Sequence, residues 1–171
     1  MALGTPIPAT DSPTRGFEAV APMSMSSGWQ TIIRAGGVNS ADASTITNPT
    51  TQITRSTTSL FTRHSTGTYI ALRLGYDAAA TIATNVVVKV FGRSDSNQTW
   101  DRLLTKGSQA MSAALAPTAT DVTDGSLKYT TVTLENLWDC LGCSELLVGI
   151  ETALTVSAGT ATTAIIQAKM I

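Results

Sequence analysis

Few residues in this chain are of kinds that carry chemistry, and their spacing limits what they could do. His64 is the only histidine, and its neighbours Arg63 and Ser65 bring no carboxylate with them. A serine–histidine–aspartate triad would need a partner from far along the chain, and no GxSxG turn marks a nucleophile. Cys140 and Cys143 form a lone CxxC. A four-ligand zinc site would have to add a carboxylate, because the second ligand pair of a zinc module is absent. A redox CxxC opens a helix in a thioredoxin-like βαβ setting, which the pattern lacks, so both cysteines read as small buried hydrophobes beside Trp138. Asp95, Asn97, Thr99 and Asp101 set oxygen donors at alternate positions, as a calcium loop begins. However, Trp100 holds the glycine position and Lys106 the bidentate glutamate position. This stretch reads as a solvated hairpin loop. The Asn97-Gln98-Thr99 sequon reads as accidental without a secretion signal. No catalytic, cofactor-binding or metal-ligating residue is assigned, and a non-enzymatic protein without a cofactor is expected.

The elements that would position such groups are strands. Residues 84–105 hold the densest β-branched run, in which Val86, Val88 and Val90 alternate with Val87, Lys89 and Phe91. Both faces are part apolar, which predicts a central strand or a covered edge. A polar loop and a return through Leu103 and Leu104 complete a hairpin. In residues 68–76, Ile70, Leu72, Leu74 and Tyr76 face one way, and Tyr69, Ala71 and Arg73 the other. Residues 145–154 align Leu146, Val148 and Ile150, and 162–171 align Ala164, Ile166, Ala168 and Met170. Weaker strands are read at 29–35 and 52–63. A strand at 127–134 is expected to turn Val132 and Leu134 inward after a tight Asp124-Gly125 turn. Leu134, Leu137, Trp138 and Leu141 have the spacing of a short helical turn closed by Gly142. Residues 106–119 are ambiguous, with alanine-based helical propensity that Pro117 would end. Some seven or eight strands without βαβ alternation predict an all-β fold, a β-sandwich of jelly-roll type.

The N-terminal 27 residues read differently. Pro6, Pro8, Pro13 and Pro22 lie there, four of the six prolines in the chain. Proline lacks a backbone donor and extends the residue before it, so an extended arm (1–27) preceding a β domain (28–171) is expected. Its scattered apolar residues suit a segment that lies along another subunit.

Composition agrees with one all-β domain. The chain has 171 residues, of which 43% are hydrophobic, only 13% charged, and 29 threonine. Threonine's branched Cβ packs on a pleated surface while its hydroxyl keeps that surface wet. The net charge of −1 argues against a nucleic-acid binder. Charge is unevenly spread: residues 43–76 carry Arg55, Arg63 and Arg73 and no acid, whereas residues 107–171 carry six acids against Lys128 and Lys169. Such poles suit docking to a partner or to a second copy. No apolar run approaches the ~18 residues a membrane helix needs, and no signal peptide is visible, so cytoplasmic synthesis and no membrane partner are expected.

Taken with its Pro-rich arm, the VVVKVFGRSDSNQTWDRLL stretch over residues 86–104 and the two closing strands, the chain resembles small structural proteins of tailed-bacteriophage virions. The likeness is to capsid cement or decoration proteins with a jelly-roll body. It lies in style and element order over most of the chain, and transfers no site residue. It implies a virion protein that binds the outer capsid surface through the major capsid protein, as a homo-oligomer (dimer or trimer). Deleting the arm is expected to leave a folded body that no longer binds capsids. The other readings are a receptor- or glycan-binding module of a tail or fibre, tested at Trp100, and a β-sandwich hydrolase dependent on His64.

Overall fold

The computed structural model describes residues 17–19, 23–24, 28–35, 59–62, 67–94, 101–152, 154–158 and 164–171. His64, the 95–100 loop with Trp100, and residues 1–16 of the arm lie outside the described residues, as do residues 36–58.

The described chain is all-β. Its strands are β1 (Phe17–Ala19), β2 (Met23–Ser24), β3 (Gln30–Ala35), β4 (Ser59–Thr62), β5 (Tyr69–Asp77), β6 (Thr81–Thr84), β7 (Val86–Arg93), β8 (Asp101–Arg102), β9 (Ala113–Leu115), β10 (Val122–Asp124), β11 (Leu127–Tyr129), β12 (Leu137–Asp139), β13 (Glu145–Thr152), β14 (Thr155–Ala158) and β15 (Ala164–Met170). A 3-10 turn at Leu134–Asn136 is the only helical element among the described residues. One sheet runs β1-β3-β15-β5-β11-β10, with β12 also on β5. The second runs β2-β4-β13-β7-β8, with β9 also on β7, and β14 pairs with β6 in a third. Pairing is antiparallel apart from β2 with β4. Four of the pairs are nested, β3 with β15, β4 with β13, β5 with β12, and β7 with β9, and the longest ladders, β7 with β13 and β5 with β15, join them side by side.

Strand alternation puts one row of each principal strand into a shared core. From the first sheet come Ile32, Ile70, Leu72, Leu74, Ile166, Ala168 and Met170; from the second, Val86, Val88, Val90, Leu146, Val148 and Ile150. All are buried. At about 1.5–3 kcal/mol per fully buried aliphatic side chain, these rows are the main source of cohesion. The rows expected on β5, β7, β13 and β15 are the rows observed. β7 is central, between β13 on one side and β8 and β9 on the other.

Between residues 105 and 142 the structure departs from expectation. The predicted 127–134 strand stops at Tyr129; Val132 is only half-buried and Leu134 is 56% exposed. Side chains replace the ladder there. The Thr130 hydroxyl accepts the Leu74 amide at 3.0 Å, and Asn136 Oδ1 accepts both the amide and the hydroxyl of Thr133 at 3.2 Å. Local side-chain bonds of this kind compete with sheet pairing. The helical spacing at Leu134, Leu137, Trp138 and Leu141 does not yield a helix beyond the three-residue turn. Leu134 and Leu141 face solvent, and the chain extends as β12 so that Trp138 is buried opposite Ile70. The alanine-rich stretch supplies β9 rather than a helix. Fifteen strands are described against the seven or eight expected, because several are ladders of two or three residues. The Asp124-Gly125 expectation stands: Asp124 pairs with Leu127 across a two-residue loop whose first member, Gly125, has φ 63°.

Candidate binding face

The outward rows of the first sheet assemble a group of side chains that local sequence does not bring together. On β5, Tyr69, Ala71, Arg73 and Gly75 alternate with the core row. Gln167 on β15 pairs with Arg73, Thr31 on β3 pairs with Gln167, and Tyr129 on β11 pairs with Gly75. The Arg73 guanidinium carbon lies 4.2 Å from the centroid of the Trp29 ring and 4.1 Å from that of Tyr129. Arg73 Nε donates to Gln167 Oε1 at 2.8 Å, and Gln167 Nε2 donates to Thr31 Oγ1 at 3.3 Å. A three-strand relay thus fixes the arginine between two aromatic rings. Lys169 Nζ is 4.9 Å from the Trp29 centroid, and Lys106 Nζ is 4.3 Å from that of Tyr69. Each such cation–π contact contributes about 0.5–1 kcal/mol at an exposed site. Burial lowers the pKa of Arg73, against the opposing influence of Tyr129 and Asp124, yet a guanidinium remains charged.

Gly75 makes the arrangement possible. A Cβ there would come within 2.8 Å of Tyr129 Cε1 and 2.9 Å of Ile165 Cγ1. Without a side chain, the strand lets the tyrosine ring lie over it beside Arg73.

The second sheet treats its outward charges in another way. Arg93 and Glu145 are cross-strand partners, both buried, and form an ion pair through Nε and Oε2. Lys89 on the same row is buried with its Nζ 5.6 Å from the Phe91 centroid. Burial lowers its pKa, with Glu151 opposing and Arg102 adding to the shift. Arg102 and Glu151 form a part-exposed pair at 3.6 Å, a contact worth about 0–1 kcal/mol.

A groove of about 400 Å³ is lined by the segments around β9 and the 3-10 turn, including Ser108, Ala114, Thr133, Glu135 and Asn136. Its polar groups serve one another. Glu135 Oε2 accepts Ser108 Oγ at 2.6 Å and Thr105 Oγ1 at 3.3 Å, and Asn136 Nδ2 donates to the Ala114 carbonyl at 3.2 Å. These bonds tie the 105–108 turn, β9 and the 3-10 turn to one another.

Cys140 is fully buried in the core with its Sγ 3.0 Å from the Thr68 carbonyl oxygen, and half-buried Cys143 packs against the core. Among the described residues no group of three or more His, Cys, Asp or Glu could hold a metal ion, and no helix is long and apolar enough to cross a membrane. Of the described tryptophans, Trp138 is fully buried in the core, whereas Trp29 stacks against Arg73 on the outward face. Neither Trp29 nor Tyr129 was picked out as a site residue from sequence, and the single available signal was Arg73 on the outward row of β5. No family model, no curated protein and no solved structure matches the chain.

Proposed function

We propose that the chain is a non-enzymatic structural protein of a tailed-phage virion that binds and stabilises the outer capsid surface as a homo-oligomer. Its body is a β-sandwich of jelly-roll type, with an N-terminal arm adding contacts on the shell. The nested pairing of β3–β15, β4–β13, β5–β12 and β7–β9 supports the jelly-roll reading, because a long ribbon folded over on itself pairs its strands in that order. The phage assignment rests on the resemblance in sequence style, and a fold of this class does not by itself specify a role.

The observation that carries binding is the Trp29–Arg73–Tyr129 stack on a sheet face. Tryptophan, tyrosine and arginine dominate the energetics of protein interfaces, and here they are already held in place. Cosedimentation with purified capsids tests the reading. Arg73→Ala should weaken binding by roughly 30-fold, the loss of a hot spot worth about 2 kcal/mol, while the melting temperature stays within a few degrees. Undiminished binding by a folded Arg73→Ala protein would sink it.

The half-buried aromatic pair also favours a second reading, a glycan- or receptor-binding module of a tail or fibre. Sugars stack on aromatic faces, but Arg73 already occupies a face of each ring, which ranks this reading second. It requires glycan-array binding that disappears with Trp29→Ala.

A further inference from the structure

We infer that Arg73, clamped between Trp29 and Tyr129, is a receptor for a carboxylate carried by an acidic segment of a partner protein, with Lys169 as the second cation. The inference rests on the binding-face reading given above and adds the chemistry of the partner. Arg73 Nε is committed to Gln167, which leaves the two terminal nitrogens of the guanidinium. Among the described residues nothing accepts from those nitrogens, and the ion pairs formed are Arg93–Glu145 and Arg102–Glu151, both on the other sheet. A guanidinium fork matches a carboxylate in bidentate geometry. An arginine already held by two rings and one side-chain amide has little freedom left to lose on binding. Lys169, resting on the same Trp29 ring, supplies a second positive charge without a counter-ion of its own among the described residues. Part-burial of an arginine that forms no ion pair among the described residues carries a desolvation cost that an incoming carboxylate would offset.

The charge pattern favours a short acidic peptide over a nucleic acid. Among the described residues Arg73, Lys169 and Lys106 stand on or beside this face, in a molecule of net charge −1. Asp139 lies on the same face opposite Tyr69, and Asp124 is close enough to influence Arg73. A phosphate backbone gains affinity from each phosphate it has neutralised, and on this face it would meet those two acids as well. One or two carboxylates need only Arg73 and Lys169.

The test is a titration of the full-length ¹⁵N-labelled protein, following the Trp29 indole and Arg73 Nε resonances. Blocked hexaglutamate should give saturable shifts at a concentration roughly ten-fold below that for blocked hexaglutamine. Arg73→Lys, which keeps the charge but loses the fork, should weaken hexaglutamate binding by about ten-fold, and Lys169→Gln, which leaves the clamp intact, by a few-fold. Equal response to hexaglutamine would overturn the inference, as would unchanged binding by Arg73→Lys. Tighter binding of a twelve-residue oligothymidylate than of hexaglutamate would overturn it in favour of nucleic acid. No capsid is present in the titration, so its failure and a failure of capsid binding are separate results.

Discussion

Tyr76 shows how a single residue serves two environments. Its ring belongs to the core row of β5, while its hydroxyl donates to Asp121 Oδ2 at 2.9 Å. Burial, then the hydrogen bond to Asp121, then the charge of Asp121 push the phenol pKa up to about 12 from an ordinary 10.0. Below pH 10 the phenol is protonated in both folded and unfolded chains, so it contributes no pH dependence. Between about pH 10 and 12 the unfolded chain loses its proton first, and stability falls as pH rises. Absorbance at 295 nm should therefore show a late-ionising step that Tyr76→Phe removes; retention of that step in the variant would refute the assignment. Residues such as Val88, Leu72 and Ile166 were legible from alternation because their environment is set by local period. The Arg73 clamp was not, because Tyr129 reaches it only through the register of β11 on β5. Its third member, Trp29, arrives through β3 and β15. No window of sequence contains that information.

At the scale of elements, β5 joins the core to the binding face. Its inward row supports the hydrophobic cluster, and its outward row carries Tyr69, Arg73 and the bare backbone of Gly75. Gly75→Ala forces either Tyr129 or Ile165 to move. Urea unfolding should show a loss of about 1–3 kcal/mol, as overpacking generally costs, and the Tyr129 ring resonances should shift. An unchanged midpoint with unchanged tyrosine shifts would show that the clamp does not depend on this glycine. β5 and β7 were readable because their alternation is long and their core rows are aliphatic. β9, β11 and β12 were not. Each is only three residues long, and their ends are set by Thr130 and Asn136 bonding backbone groups that a ladder would otherwise use. In this part of the chain the spacing at Leu134, Leu137, Trp138 and Leu141 matched a helix, yet burying Trp138 against β5 determined the outcome.

For the whole molecule, the short strands β1 and β2 fall within residues 1–27, the stretch expected as an extended arm, and each pairs at a sheet edge. β1 lies at the edge of the first sheet on β3, and β2 at the edge of the second on β4. A chain cut to start at Phe17 retains both edges, whereas one cut to start at Gly28 leaves β3 and β4 uncovered. Uncovered edges invite pairing with other chains. The shorter protein should therefore melt lower and grow in size by light scattering, and equal melting with a single size would show that the two edge strands contribute nothing. The nested topology has a further consequence, for the order of events during synthesis. β15 lies between β3 and β5, so the first sheet cannot assemble until the ribosome has made residue 170. The β4–β13 and β7–β13 pairs of the second sheet need no residue beyond Thr152. A chain in which that sheet has paired before β15 docks leaves the row of Val86, Val88, Val90, Leu146, Val148 and Ile150 without its cover, and such exposed apolar surface favours aggregation.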